Sequence, residues 1–192
     1  MTDTVVYCNL DIGANAPTPW SYNEFTSTSV QQLSSDLKDE SNAGTGFTLD
    51  ITAAFTNATG ATGAATSGAG SWPEEIFDYY FYMGATTATL QVGGLTNGDT
   101  YVIELAGHRG NSGRNTTYDI DGGTSQTYTA SSGSTPNAPL SFSGTVSGTT
   151  LDINASRVSV FGYINGFKMT ITSGGGGGIS IPVIMHHTRQ MQ

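Results

Sequence analysis

The chain has 192 residues, a formal net charge of −9 and only 11% charged residues. A nucleic-acid surface needs clustered lysine and arginine to replace phosphate counterions, and the six basic residues are spread widely. The sequence therefore excludes DNA or RNA as a partner and disfavours an anionic membrane surface. The length is typical of one domain, and abundant Gly, Thr, Ser and Asn predict short strands and many turns.

Cys8 is the only cysteine, so an intramolecular disulfide is impossible and the side chain is expected to be buried as a small apolar group. Residues 1–10 have neither a basic segment nor an apolar core segment, which predicts that they are not a signal peptide. No apolar stretch approaches the roughly 20 residues of a membrane span. We therefore expect a soluble protein made in a cytoplasm.

In chain order, apolar side chains alternate with polar ones first over residues 6–12 and then, most clearly, over 46–56. The same period of two recurs over residues 88–92, 101–105, 118–120, 151–153, 158–163, 167–171 and 179–183. A period of two is the signature of half-buried strands. The sequence thus predicts an all-β fold, a jelly-roll β-sandwich of about nine or ten antiparallel strands.

Three stretches between these strands have a different character. Asn97-Gly98 lies between two predicted strands, and this pair readily takes the positive φ that tight hairpins need. Residues 57–70 are small and polar, which predicts a long exposed loop. Residues 71–74 fit a capping box, and the apolar spacing after them predicts a short helix near 73–82.

Five consecutive glycines at 174–178 predict a flexible joint between a sandwich domain (1–173) and a C-terminal assembly tail (174–192). An apolar, uncharged strand after such a joint suits docking by strand addition or symmetric assembly, so a homo-oligomer is expected. The predicted assembly contacts are Ile179, Ile181, Val183, Met185, His186, His187 and Arg189. His186 and His187 would point to opposite sides of a strand, which favours packing over shared metal binding.

Several short segments, in this order, resemble the galactose-binding-like superfamily of β-sandwiches. They are residues 10–13, 20–23, 44–49, 72–73 with 78, 90–101 leading into 107–109, 118–122 and 163–167. The resemblance spans about residues 5–172 and is best to the accessory domain beside rhamnogalacturonan-acetylesterase-like and other carbohydrate-active enzymes. It implies a scaffold, which does not itself fix function. The tail looks like the short C-terminal ends of some tailed-bacteriophage structural proteins.

Catalytic machinery is not recognisable in the sequence. A Gly-x-Ser-x-Gly elbow is absent, and no histidine lies in a pattern that pairs with a serine. The esterase domain that usually accompanies the resembled module, with its Gly-Asp-Ser block, is also missing. We therefore expect a protein that is not an enzyme. No cofactor is expected; a structural calcium is an open alternative, although Asp119-x-Asp121-Gly122 lacks the glutamate of an EF-hand loop.

Sugar binding would use an exposed aromatic ring that packs on sugar C–H groups, with polar side chains bonding the hydroxyls. Trp20, Trp72, Tyr79, Tyr80 and Tyr82 are candidate rings, although each could equally be a half-buried core edge. The alternation of Tyr80 and Tyr82 is also compatible with a strand.

His108 and Arg109 follow a predicted strand and precede a Gly/Asn/Ser loop. The favoured interpretation is a hydrogen-bonded pair that closes the loop; the alternative is a ligand-facing cluster with Asn111 and Arg114. The predicted glycan-binding residues are Trp20, Trp72, Tyr80, His108, Arg109, Asn111 and Arg114.

These features favour a non-enzymatic bacteriophage virion protein, either a capsid decoration (cement) protein or a tail or fibre component, with its sandwich facing outward. Its expected partners are other virion subunits and a cell-surface glycan, without nucleic acid or membrane insertion, and its expected location is the virion. The alternatives are a stand-alone carbohydrate-binding module and an accessory domain of a carbohydrate esterase.

Overall fold

The structure is a computed structural model that describes residues 2–10, 16–60, 65, 67–84, 87–110, 114–131 and 133–174. The strands are β1 (Asp3–Leu10), β2 (Glu24–Phe25), β3 (Gln31–Ser34), β4 (Thr48–Ala53), β5 (Asn57–Gly60), β6 (Tyr79–Met83), β7 (Thr87–Gly93), β8 (Thr100–Ala106), β9 (Thr116–Ile120), β10 (Gln126–Tyr128), β11 (Leu140–Thr145), β12 (Thr150–Arg157), β13 (Gly162–Ile164) and β14 (Gly166–Thr172). Two short 3-10 helices span Trp20–Tyr22 and Glu74–Phe77.

Two large sheets form the body of the fold. One has the strand order β11-β8-β14-β1-β2 and the other has the order β10-β9-β12-β7-β4-β3. The pairings are antiparallel except for β1 with β2. The predicted all-β antiparallel sandwich is therefore confirmed, with more strands than expected because several are only two to four residues long.

The alternation seen in the sequence places one face of each sheet in the core. On β7, for example, Ala88, Leu90 and Val92 are fully buried, while the intervening Thr89 and Gln91 are not. Cys8 is buried as expected, and burial raises the pKa of its thiol well above the ordinary range. Each fully buried Leu, Ile, Val or Phe contributes about 2 kcal/mol from removal of apolar area from water.

A third, smaller sheet has the order β13-β6-β5. Its strand β13 contacts β8 of the first sheet and β9 and β12 of the second. The small sheet thus packs against strands of both large sheets, and it supplies three of the four aromatic rings of the candidate functional site, Tyr80, Tyr82 and Tyr163.

The predicted helix near 73–82 is corrected to a single 3-10 turn, Glu74–Phe77, followed directly by β6. The capping box does not form: the turn begins after Pro73, whose backbone is extended, and no side chain caps it. The aromatic run Tyr79–Met83 has strong β propensity and pairs as a strand.

Three further expectations are corrected. The predicted loop 57–70 contains β5 and two buried alanines, Ala65 and Ala69. Residues 158–160 are not a strand, and Val158 and Val160 are exposed. The Asn97-Gly98 turn does not close a hairpin, because the strands it joins, β7 and β8, belong to different sheets.

The C-terminal tail lies almost entirely outside the described residues. This applies to the predicted strand at 179–183, to the predicted assembly contacts and to all of the tail 174–192 except Gly174. Among the residues that are described, no helix is long and apolar enough to cross a membrane.

Candidate functional site: a pocket of aromatic rings and two arginines

A pocket forms where the small sheet meets the connection from β8 to β9. Because alternate residues of a strand face the same side, Tyr80 and Tyr82 project together from β6. Tyr163 of β13 lies directly opposite Tyr82 in the antiparallel register, and Phe161 precedes it by two residues. These rings, with Arg109, Arg114 and Thr59, line a cavity of about 370 Å³, hereafter the Tyr–Arg pocket.

The aromatic rings support one another edge to face. The ring centroids of Tyr80 and Tyr163 are 4.7 Å apart, and those of Tyr82 and Phe161 are 5.6 Å apart at nearly perpendicular planes. Tyr80 is only 1% exposed and forms the floor, whereas Tyr82 and Phe161 are partly exposed and form a wall. Edge-to-face pairs of this kind hold each ring in a defined orientation.

Two arginines approach this aromatic wall from the β8–β9 connection. Arg109 Nη1 donates to the Tyr163 hydroxyl at 2.9 Å, and Arg114 Nη1 donates to the same hydroxyl at 3.2 Å. The Arg114 guanidinium carbon lies 5.0 Å from the Phe161 ring centroid, and that of Arg109 lies 5.6 Å from Tyr163. Both guanidinium groups are therefore oriented by hydrogen bonds and by cation–π contacts.

Hydrogen-bonding capacity remains unused at the floor of the pocket. The Tyr80 hydroxyl and Arg109 Nε are both buried atoms without a hydrogen-bond partner. Buried polar atoms are normally satisfied, so such a pair is unusual in a folded protein. Both atoms are closed off from solvent, so a ligand would reach them only after a movement of neighbouring side chains.

The protonation of these groups is favourable for binding at neutral pH. Burial raises the pKa of the Tyr80 hydroxyl, which therefore remains a neutral donor and acceptor. Burial by itself would lower the pKa of Arg109, but the hydrogen bond to Tyr163 and the fields of the neighbouring tyrosines outweigh it and raise the pKa. Arg109 is thus permanently cationic.

A buried asparagine fixes the chain that carries Arg109. Asn165 Oδ1 accepts from the His108 backbone N–H at 2.6 Å, and its Nδ2 donates to the carbonyls of Tyr79 at 2.7 Å and His108 at 3.3 Å. Gly107 allows the backbone before His108 to lie close to the backbone of Tyr163, because a Cβ at this position would overlap the Tyr163 carbonyl oxygen. Asn165 and Gly107 therefore join β6, β13 and the start of the arginine-bearing connection.

His108 is fully buried and packs edge-on against Phe77, with ring centroids 6.1 Å apart. Neither ring nitrogen has a hydrogen-bond partner of ordinary geometry. The expected loop closure is made by the backbone of His108 through Asn165, not by a pair with Arg109. The alternative cluster forms in part, because Arg109 and Arg114 do converge, but His108 does not line the pocket.

We expect His108 to make stability depend on pH. Desolvation lowers its pKa below the ordinary value, with the nearby Gly133 backbone opposing part of the shift. The imidazole of His108 therefore binds a proton more readily in the unfolded chain, where its pKa is about 6.5, than in the folded protein. The free energy of unfolding is highest above that pKa and falls as the pH decreases below it, by up to about 1 kcal/mol at pH 5.5. Denaturant unfolding of the wild type and His108→Phe at about pH 7.5 and 5.5 checks this. Equal pH dependence of the two proteins would contradict it.

The two tryptophans do not have the exposure expected of a glycan platform. Trp20 and Trp72 are each only 2% exposed, and their ring centroids are 4.6 Å apart in the core. The indole N–H of Trp72 donates to Glu104 Oε2 at 3.0 Å. In this structure both rings are engaged by the protein itself, because they pack against each other and against Tyr7 and Phe77.

Among the predicted glycan-binding residues, the structure brings together Tyr80, Arg109 and Arg114, and Asn111 lies outside the described residues. Phe161 and Tyr163 also line the pocket, although they are not among the ligand residues predicted from the sequence. The alternation of Phe161 and Tyr163 predicts a strand but not a ligand site. The only sequence signal for the site is that Tyr80 and Tyr82 on β6 have the same spacing of two residues.

Asp119 and Asp121, the acidic residues of the possible calcium loop, accept backbone hydrogen bonds at the turn after β9. Asp119 Oδ1 accepts from Gly122 N at 2.8 Å, and Asp121 Oδ1 accepts from Asp152 N at 2.6 Å. Within the described ranges, no group of three or more His, Cys, Asp and Glu side chains is arranged to hold a metal ion. Calcium binding stays an untested alternative.

A second cavity, of about 340 Å³, lies between β9–β10 and β8–β11. Its lining residues are Tyr101, Ile120, Gly123, Thr124, Gln126, Ser141, Phe142 and Ser143. This cavity contains no basic side chain and a single partly exposed ring, Tyr101. Its chemistry for binding a ligand is therefore poorer than that of the Tyr–Arg pocket.

Several solved structures are similar to this chain. A CBM35 module from Cellvibrio japonicus Abf62 is 14% identical, with 64% of this chain and 91% of that chain covered and a TM-score of 0.38. A family 35 carbohydrate-binding module from Clostridium thermocellum is 13% identical, with coverages of 63% and 96% and a TM-score of 0.40. A Xyl-CBM35 in complex with a glucuronic acid-containing disaccharide is 16% identical, with coverages of 66% and 93% and a TM-score of 0.37.

No protein-family profile and no curated protein sequence match the chain. The structural neighbours are carbohydrate-binding β-sandwich modules, but a TM-score below 0.5 indicates neither a ligand nor an activity. Any inference about function therefore depends on the chemistry of the Tyr–Arg pocket.

Proposed function

We propose that this protein is a non-catalytic saccharide-binding module and that the Tyr–Arg pocket is its binding site. The observation that carries the proposal is the combination, in one cavity, of partly exposed aromatic rings with fixed hydrogen-bond donors. Tyr82 and Phe161 form the wall, and Arg109 and Arg114 lie beside it. Sugars present C–H faces to aromatic rings and hydroxyls to polar groups, so they match both parts.

The dimensions and the preorganisation of the pocket support this role. A cavity of about 370 Å³ falls in the range of small-molecule sites. The rings pack on one another and the guanidinium groups are anchored on Tyr163, so little side-chain entropy is lost when a ligand binds.

A glycan array with the full chain tests the proposal. We expect at least one saccharide hit, and we expect Tyr82→Ala to weaken its binding about tenfold or more, which corresponds to about 1.4 kcal/mol. The expected cause is loss of the ring face that packs against the sugar. Tyr22→Ala, which removes another partly exposed tyrosine outside the pocket, is the matched control and should keep the affinity.

Two results would contradict the proposal. One is the absence of any hit from a folded protein. The other is a hit whose affinity is the same in the wild type, Tyr82→Ala and Tyr22→Ala, since binding would then lie elsewhere on the molecule.

The wider context is a separate proposal, that the module displays its pocket on a bacteriophage particle through the tail 174–192. Support comes from the sequence alone, namely the glycine joint and the apolar alternation after it. Detection of the protein in purified particles, and its loss when residues 179–192 are deleted, tests this role. A stand-alone module or an esterase accessory domain would instead be found outside particles, the latter joined to an enzyme that cleaves an acetyl ester.

A further inference from the structure

We infer that the Tyr–Arg pocket selects a negatively charged saccharide, whose carboxylate, sulfate or phosphate group is bound by Arg109 and Arg114 while its ring lies against Tyr82 and Phe161. The inference rests on the proposed function and specifies its substrate class. Its basis is the way in which the few cations of this protein are used.

The five basic side chains of the described residues differ in what they bind. Lys38 is paired with Asp36 at 2.7 Å and Lys168 with Glu104 at 3.6 Å. Arg157 donates to the carbonyl of Val160 at 3.0 Å. The remaining two, Arg109 and Arg114, share one cavity and take part in neither of the two ion pairs found in the described part of the chain.

A shared neutral acceptor holds these two guanidinium groups together. Both donate to the Tyr163 hydroxyl, which provides two acceptor lone pairs but no compensating charge. Two cations fastened to one oxygen atom repel each other, and the repulsion is stronger beside low-dielectric rings than in water. An anion bound between them would replace this repulsion with two attractions.

The geometry of the donors suits an oxyanion in particular. Each guanidinium carries five N–H donors in a planar fork, and the fork matches two oxygens of a carboxylate, sulfate or phosphate. Arg109 and Arg114 each donate to Tyr163 through Nη1, which uses one of the five N–H donors of each fork. A neutral sugar hydroxyl would satisfy single donors, but it would leave both charges uncompensated.

The overall charge of the protein also favours an acidic ligand at this pocket. With a net charge of −9, the protein repels anions over most of its surface, so a site for an acidic ligand needs a local concentration of cations. Two of the six basic residues are placed in this pocket. The aromatic wall distinguishes it from a site for a bare inorganic anion, because the rings add apolar contact area that only an organic ligand would use.

Isothermal titration calorimetry of the full chain with matched sugars tests the inference. The pairs are galactose against galacturonate, glucose against glucuronate, and galactose against galactose 6-sulfate, with inorganic sulfate as the anion alone. We expect the acidic member to bind about tenfold or more tightly and to lose that advantage as NaCl is raised. The carboxylate and sulfate arms show which anionic group is preferred.

Arginine-to-glutamine variants separate the loss of a positive charge from the loss of the fold. Arg109→Gln and Arg114→Gln should each reduce the affinity for the acidic sugar about tenfold, and should reduce that for the neutral sugar by a smaller factor, because glutamine still offers a neutral hydrogen-bond donor. Arg157→Gln, which removes an arginine outside the pocket, should change neither. Circular dichroism and thermal unfolding establish that every variant is folded.

The outcomes distinguish the two proposals. Equal affinity for neutral and acidic sugars, unaffected by Arg109→Gln, would overturn the anionic specificity and leave the saccharide site standing. Inorganic sulfate that binds as tightly as every acidic sugar would overturn the saccharide site and leave an anion site. Binding of no sugar and no anion would overturn both.

Discussion

Replacing Asn165 with alanine is expected to lower the free energy of unfolding by about 3 kcal/mol, since the three hydrogen bonds of this buried side chain are lost and their backbone partners are left unsatisfied. Those partners are the His108 N–H and the carbonyls of Tyr79 and His108. Because His108 precedes Arg109 directly, we also expect weaker binding at the Tyr–Arg pocket. Asn165 is 0% exposed, so water would not replace the side chain without rearrangement.

Denaturant unfolding monitored by tryptophan fluorescence measures the loss of stability, and Asn137→Ala is the matched control. Asn137 also donates to a backbone carbonyl, that of Thr129, at 2.6 Å, but it is exposed. Water can satisfy the carbonyl there, so the control should cost less than about 1 kcal/mol. Similar losses in the two variants would show that Asn165 does not hold the site together.

The second large effect is expected from Trp72→Ala, which should destabilise the protein by about 3 to 5 kcal/mol, the usual cost of removing a buried tryptophan. Trp72 contacts Trp20 and Phe77, at centroid distances of 4.6 and 5.9 Å. Trp72→Phe keeps an aromatic ring but loses the hydrogen bond to Glu104, so we expect a smaller loss of about 1 to 2 kcal/mol.

Trp72→Phe decides between a packing role and a ligand role for Trp72. If the ring is only a core group, Trp72→Phe remains folded and keeps the saccharide affinity of the wild type. If the ring is a ligand platform, Trp72→Phe would remain folded but would lose saccharide affinity. Parallel unfolding and calorimetric titrations separate these results.

Much of the sandwich can be predicted from side-chain alternation, because a half-buried strand has to repeat its apolar residues every second position. That rule correctly locates β1, β4, β7, β8, β9, β12 and β14. It cannot locate β2, β5 or β10, which are two to four residues long and offer too few repeats. It also wrongly predicts a strand at 158–160, where two alternating valines are exposed to solvent.

Local signals fail where tertiary contacts compete with them. Residues 71–74 satisfy a capping-box pattern, yet Trp72 is held in a bridge with Ala69 and only the 3-10 turn Glu74–Phe77 forms. Asn97-Gly98 is typical of a hairpin, yet it connects two sheets. Propensity describes a few neighbouring residues, whereas strand pairing depends on residues far apart in the chain.

The candidate site is predictable only in part for the same reason. Arg109 and Arg114 lie on one short connection, so sequence proximity indicates that they could act together. Tyr163 and Tyr82 are far apart in sequence, and only the β6–β13 register makes them neighbours. Exposure is the other quantity that the sequence does not provide, and it separates the wall residue Tyr82 from the core residues Trp20 and Trp72.

A crystal structure of the full chain with a bound uronic acid would test most directly whether the Tyr–Arg pocket binds an acidic saccharide. We predict density for the sugar ring beside Tyr82 and Phe161, with its carboxylate within hydrogen-bond distance of Arg109 and Arg114. Density in the second cavity, between Tyr101 and Phe142, together with an empty Tyr–Arg pocket, would contradict this assignment.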